Sequence, residues 1–341
     1  MYPEYTPARV TSQHKGLYRI AAQSGEILAE ISGKLRYEST DLSQYPAVGD
    51  FVMVSVPDGS QRAVIHKVLS RKSIFMRKAA GTDVQTQVIA ANIDVIFICM
   101  ALNNNYNLSR LERYISTGLD SGAQPVVILT KSDLCEDASE KLSEVRRVAK
   151  WCDVIVTSAF DSGTKEKILT FAKPGITASF VGSSGVGKST LINLLAGEEL
   201  LKTNETGKLD KGHHTTTSRE MFSLPCGAAV IDTPGMRELG IASANVEAAF
   251  SDIEELVTQC RFSDCTHTNE PGCAVIKALN DGVIDTRRID NYRRLKREAQ
   301  YNGLDSKAIE NAKLSNMFKE IGGMKNVRKY IRDNDKRRNT K

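Results

Sequence analysis

Ala178-Ser179-Phe180-Val181-Gly182-Ser183-Ser184-Gly185-Val186-Gly187-Lys188-Ser189-Thr190-Leu191-Ile192 decides how the chain is read. From Gly182 to Ser189 it fits G-x-x-x-x-G-K-[ST], the phosphate-binding loop. Ile176 to Val181 is apolar and β-capable, and Thr190 to Ala196 has helical character, so the loop lies between a strand and a helix N-terminus. Phosphate requires that setting: glycines let backbone N–H groups turn inward around an anion, and the helix end adds partial positive charge. Gly182, Ser183, Ser184, Gly185, Val186, Gly187, Lys188, Ser189 and Thr190 are the expected phosphate-side residues. Lys188 is expected on the β- and γ-phosphates and the Ser189 hydroxyl on Mg²⁺.

Two flanking stretches name the base. Downstream, Val230-Ile231-Asp232-Thr233-Pro234-Gly235 places D-x-x-G at a strand end. Upstream, Val126-Val127-Ile128-Leu129-Thr130-Lys131-Ser132-Asp133 is a variant of N-K-x-D. Val156-Thr157-Ser158-Ala159 follows it, and Ser158 with Ala159 matches the loop that backs a guanine ring. Asp133 would accept from guanine N1–H and the 2-amino group. Adenine would leave that carboxylate desolvated and unpaired, so discrimination should be strong. Lys131 would lay its stem along the base. Thr130 stands where the motif carries Asn, so contacts to base and phosphate loop should be fewer. In ordinary GTPases the base-reading stretches come last; here they come first.

The remaining chemistry falls on two polar segments. Thr203 to Thr217 has almost no apolar residues and matches the segment that orders around γ-phosphate and Mg²⁺. Of Thr215, Thr216 and Thr217, Thr216 is taken as the Mg²⁺ hydroxyl, with Asp232 reaching the ion through water and the Gly235 N–H donating to the γ-phosphate. Met236 follows that glycine and cannot orient water, so unaided hydrolysis should be slow. His214, with His213 behind it, is the candidate to position water, and His214 and Lys188 are the candidate catalytic groups. Further on, Cys260-x₄-Cys265-x-His267-x₅-Cys273 supplies three thiolates and an imidazole. That set suits one closed, tetrahedral, structural Zn²⁺ per chain, with no open position for catalysis.

The chain of 341 residues is 41% hydrophobic and 26% charged, an ordinary globular balance spread over two or three domains. No apolar run approaches the ~20 residues of a membrane span, and Met1-Tyr2-Pro3-Glu4-Tyr5 does not read as a signal peptide. The expectation is a cytoplasmic protein with no membrane partner. Seven cysteines, an odd number, point to metal rather than to a disulfide framework. Charge is uneven: from Asp285 to Lys341 there are 17 Lys and Arg against 8 Asp and Glu, a net of +9, so the rest carries −4 of the chain's +5. A basic terminus on a near-neutral body suggests an anionic macromolecule as partner.

The expected architecture is multi-domain α/β. Residues 1–75 read as a small OB-like β-barrel of about five short strands in roughly 65 residues, with strands at Gly16 to Ile20, Glu26 to Ile31, Asp50 to Val56 and Arg62 to Leu69. Barrels of this kind often bind single-stranded nucleic acid. Arg71 to Lys78 reads as a basic linker. Residues 76–245 alternate strand and helix, a doubly wound sheet carrying the nucleotide motifs. Residues 246–341 read as a zinc-binding helical unit: a helix over Ala244 to Thr258 leads into the cysteine cluster, and basic helices follow over Ile284 to Tyr301 and Lys307 to Phe318.

A barrel, a GTPase with permuted motifs and a Cys-Cys-His-Cys cluster with basic helices together resemble the bacterial ribosome small-subunit-dependent GTPases, a circularly permuted family. The likeness covers nearly the whole chain. It implies a GTPase that binds the 30S subunit late in maturation, contacts 16S rRNA and is stimulated by the subunit, with zinc in its C-terminal domain. It carries Thr130 to Asp133, Gly182 to Thr190 and the four cluster residues into those roles. No coiled coil is visible and a monomer is expected. A competing class is a GTP-gated RNA-binding module in which hydrolysis is incidental, which Thr130 and Met236 favour.

Overall fold

The structure is a computed structural model; it describes residues 4–14, 16–57, 59–78, 86–158, 160–201, 219–232 and 245–300. The N-terminal strands are β1 (Thr6–His14), β2 (Leu17–Ala22), β3 (Gly25–Ile31), β4 (Phe51–Ser55) and β5 (Arg62–Val68). They pair in the order β1-β2-β3-β5-β4, and β4 returns to β1, closing a five-stranded barrel. Inward residues alternate along each strand, as a barrel interior requires: Val10, Ile20, Val52, Val54 and Ile65 are fully enclosed. A short helix, α1 (Gly33–Glu38), joins β3 towards β4; the Ser32 hydroxyl caps it by accepting from the Leu35 N–H at 3.0 Å. The expected barrel is present, and its strand order is that of an OB-fold.

The segment expected to be a basic linker is different. β6 (Ile74–Lys78) pairs antiparallel with β7 (Thr86–Ala91), because Phe75 alternates with its neighbours into the core. Arg71 is not a solvated cation: its guanidinium grips both oxygens of the buried Asp50 at 2.8 and 2.7 Å and donates to the carbonyls of Ser43 and Tyr45.

The second half alternates as expected: β8 (Val95–Ala101), α2 (Leu108–Ser121), β9 (Gln124–Thr130), α3 (Ala138–Val148), β10 (Asp153–Val156), α4 (Thr164–Leu169), β11 (Thr177–Val181) and α5 (Lys188–Ala196), then β12 (Arg219–Ser223) and β13 (Ala229–Asp232). The order β10-β9-β8-β11-β13 is parallel throughout. Its central strand β8 is buried on both faces: Ile96, Ile98 and Met100 face the α2 side, while Phe97, Cys99 and Ala101 face the α5 side. That explains the unbroken apolar run of its sequence. β12 joins the edge antiparallel and also pairs with β1, matching Ser12 to Glu220 and Gln13 to Arg219. The described residues therefore form one eleven-stranded sheet running from nucleotide-type sheet into barrel.

The helix expected over Ala244 to Thr258 is two, α6 (Val246–Ala249) and α7 (Ser251–Val257), broken at Phe250. Phe250 turns into the core, its ring 5.6 Å from that of Tyr292. α8 (Ala274–Asn280) and α9 (Thr286–Gln300) follow. Phe250, Ile253, Val275, Ile289, Tyr292 and Leu295 share a core with Leu111, Ile115 and Val145 of α2 and α3. Much of the positive charge of α9 is absorbed internally. Arg287 and Arg288 both reach Glu112, a carboxylate with no exposed surface, and Arg288 also pairs with Asp252 at 2.6 Å. Lys296 pairs with Glu254 at 2.7 Å. The second basic helix expected, Lys307 to Phe318, lies outside the described residues.

Candidate functional site

β9, β10, β11 and β13 run in one direction, so their C-terminal ends open on one edge of the sheet, where doubly wound folds bind ligands. The nucleotide motifs within the described residues lie there. The phosphate loop leaves β11, with Gly182 at φ 143°. A Cβ on Gly182 would lie 2.3 Å from the Cys99 carbonyl oxygen of β8, so strand and loop can approach only through a glycine. Gly187 starts α5 at φ 99°, a left-handed conformation, and no atom lies within 4 Å of where its Cβ would be. That glycine supplies backbone conformation, and the space beside it stays open to a ligand. Val186 between them is buried and anchors the loop to the α5 core. The Lys188 ammonium arches over the loop and donates to the carbonyls of Gly182 at 2.8 Å and Ser183 at 2.7 Å. Ser183 and Ser189 are half-buried, and Ser184 and Thr190 are exposed. Burial pushes the Cys99 thiol beneath the loop up to about 12, against the opposing charge of Lys188, which keeps it an inert neutral side chain.

Thr130 keeps a contact to the phosphate loop. Its hydroxyl, buried at the end of β9, donates to the Val186 carbonyl at 2.6 Å. The base-side strand is thus bonded to the phosphate loop by a hydroxyl where an amide was the usual residue. Lys131 follows at φ 59°, a left-handed turn that swings the chain off the strand, and Asp133 is exposed in the next turn. Ser158, half-buried beyond β10, sits beside this loop because the Ser132 N–H donates to the Thr157 carbonyl at 3.2 Å. Asp232 ends β13 next to the phosphate-loop strand. The structure thus brings Thr130, Lys131, Ser132, Asp133, Ser158, Gly182 to Thr190 and Asp232 to one sheet edge. Ala159, His214, Thr216 and Gly235 lie outside the described residues, as do His213 and Met236.

The cysteine cluster closes as its spacing implies. The ligand atoms of Cys260, Cys265, His267 and Cys273 all lie within 4.8 Å of one another. A tetrahedral ion with Zn–S of about 2.3 Å and Zn–N of about 2.05 Å needs S···S near 3.8 Å and S···N near 3.6 Å. The Cys260 to Cys273 sulfur distance is 3.8 Å, and His267 Nδ1 lies 3.6 Å from the Cys260 sulfur and 3.5 Å from that of Cys273. The donor set fits such an ion. His267 reaches in through a positive φ of 57°, and Arg293 donates to its carbonyl. The Glu270 carboxylate gathers the N–H groups of Thr266, Thr268 and Asn269 and the Thr266 hydroxyl, and those bonds hold it far below the usual carboxylate range.

Glu112 and its two arginines escaped the sequence reading. The signal was present: Leu108, Leu111, Ile115 and Leu119 mark the apolar face of α2, and Glu112 lies on that same face. A lone carboxylate there requires a buried cation from elsewhere.

The RsgA GTPase family profile matches residues 68–242. Small ribosomal subunit biogenesis GTPase RsgA 2 of Lactiplantibacillus plantarum is 45% identical over 327 residues, covering 95% of this chain and 92% of the relative. RsgA 1 of Listeria innocua is 42% identical, covering 96% of this chain and 93% of the relative. The crystal structure of YjeQ from Thermotoga maritima superposes with a TM-score of 0.64 at 25% identity, over 87% of this chain and 99% of that one. YloQ, described as a circularly permuted GTPase, gives the same TM-score at 23% identity and shares the fold. The fold and site define a circularly permuted GTPase with an N-terminal barrel. The chain belongs to the RsgA GTPase family.

Proposed function

We propose that this chain hydrolyses GTP in the service of small-ribosomal-subunit biogenesis, the role its curated relatives are named for. The observation that carries the nucleotide reading is the Thr130 to Val186 hydrogen bond, which fastens the root of the Thr130 to Asp133 turn to the phosphate loop. Asp133 reads guanine, Lys131 and the Ser158-Ala159 loop flank the base, and Gly182 to Thr190 cradle the phosphates. Ser189, Thr216 and Asp232 would hold Mg²⁺, which would neutralise charge developing on the phosphoryl oxygens. Lys188 now spends its ammonium on the loop's own carbonyls and would exchange them for phosphate oxygens. Gly235 donates its N–H to the γ-phosphate, and His214 orients the attacking water. Cys260, Cys265, His267 and Cys273 hold one structural Zn²⁺, whose chemistry is cross-linking only, since four protein ligands leave no open position.

The partners in this reading are GTP or GDP and the 30S subunit through 16S rRNA, with the protein a cytoplasmic monomer. Names of the relatives favour turnover over a gated binding module. Asp133→Asn tests the base assignment: it should lose preference for GTP over XTP and gain binding of XTP, because the amide offers a donor towards the O2 of xanthine. A variant that keeps GTP and refuses XTP removes Asp133 from the site.

A further inference from the structure

The chain's one tryptophan stands where the doubly wound sheet meets the C-terminal helices. Trp151 is 72% exposed, yet it is not loose. The Ala149 N–H donates to the Val145 carbonyl at 2.8 Å as α3 ends, and the Cys152 N–H donates to the Ala149 carbonyl at 3.0 Å. Lys150 and Trp151 therefore occupy the corner of a closed turn. The indole N–H donates to the Ser251 hydroxyl, at the start of α7, at 2.9 Å. The ring's only polar atom is thus satisfied within the protein, while its apolar surface stands in water and forgoes the gain of burial.

The surroundings are positive. Arg146, Arg147 and Lys150 are exposed, and among the described residues none of them forms a side-chain hydrogen bond or ion pair. In this they differ from Arg287, Arg288 and Lys296 of α9, which are paired with carboxylates. Asp252, beside Ser251, is taken by Arg288, so it does not offset the patch. Residues 146–153 carry three Lys and Arg against one Asp, a net of +2. An acidic protein segment would satisfy such cations but offers no run of flat rings. A single-stranded nucleic acid offers a phosphate and a flat base at every residue, which matches cations set around an exposed indole.

We propose that the end of α3 is a landing site for single-stranded RNA, with Trp151 stacking on an unpaired base while Arg146, Arg147 and Lys150 meet the neighbouring phosphates. The surface rests on the RNA partner of the reading above. It adds a contact apart from both the barrel and the basic C-terminal stretch.

The test uses the full chain, whose single tryptophan is its own probe, and a short end-labelled single-stranded RNA. Anisotropy of the label reports binding, and quenching of tryptophan emission reports stacking. RNA that does not bind at all would overturn the RNA partner and the surface together. With RNA bound, tryptophan emission should fall in step with the anisotropy, and a duplex RNA of the same length should quench far less, since its bases are already stacked. Trp151→Ala should weaken single-strand binding roughly five- to hundred-fold, the range of one lost base stack, and Trp151→Phe should recover most of it. Arg146→Ala, Arg147→Ala and Lys150→Ala together should flatten the dependence of log affinity on log salt by about 2, three phosphate contacts at about 0.7 each. RNA that binds without quenching, or that binds Trp151→Ala with full affinity, sits elsewhere and overturns the surface alone. So does quenching by oligoglutamate under conditions where RNA gives none, which assigns the patch to an acidic protein partner.

Discussion

The phosphate loop and the cysteine loop both gather groups around a small charged ligand, but they are built in opposite ways. The phosphate loop works with backbone. Its N–H groups, its three glycines at positive φ and the buried Val186 are held by β11, α5 and the Cys99 carbonyl before any ligand arrives. The cysteine loop works with side chains. Residues 258–273 form no helix or strand, and their fixed points are four ligand atoms and the Glu270 carboxylate. One loop is placed by the fold, whereas the other places part of the fold. Losing a ligand group should therefore cost chemistry in the first and structure in the second.

The largest effect should come from Cys265→Ala. A structural zinc site contributes on the order of 10 kcal/mol in small zinc peptides, so the variant should lose its metal and the exchange protection of residues 245–300, while GDP binding persists. Metal analysis, which should give one Zn²⁺ per wild-type chain, and hydrogen exchange read both arms. Full protection in a metal-free variant would mean that the shared core with α2 suffices and the contrast fails.

Glu112→Ala comes next. It leaves Arg287 and Arg288 without the buried carboxylate they share, and breaking one side of a buried ion pair costs about 3–5 kcal/mol. Urea unfolding should show a loss of that size, with metal content unchanged. A loss below about 1 kcal/mol, the scale of an exposed pair, would show that α9 docks without help from Glu112.

Thr130→Val should do least. Removing the hydroxyl takes away one hydrogen bond, worth about 1 kcal/mol, between β9 and Val186. The cost should appear as a several-fold weaker GDP affinity, which Thr130→Asn should recover. Unchanged affinity would mean that the two halves of the site are placed independently.

How far the sequence reaches follows the same division. The phosphate loop was legible because each of its residues is chosen by backbone geometry, and a glycine at a fixed spacing says so directly. The cluster of three cysteines and a histidine was legible because its four residues are near neighbours in the chain. What escaped depends on partners distant in sequence. β1 carries Pro7 and polar residues and gives little strand signal alone; pairing with both β2 and β4 makes it one. Arg71 reads as a loose cation until Asp50 is found beneath it, and the charges of α9 read as a free basic face until Glu112, Asp252 and Glu254 are found across from them. Thr130 reads as a weakened Asn until Val186 is seen within reach.

The most direct test of the central claim is steady-state hydrolysis of GTP by the full chain, alone and with purified small ribosomal subunits, at low and moderate salt. Slow turnover alone, a large stimulation by the subunit and a steep loss of that stimulation with salt, as electrostatic contacts to RNA require, are the predicted result. A rate that the subunit does not change at either salt concentration would contradict it.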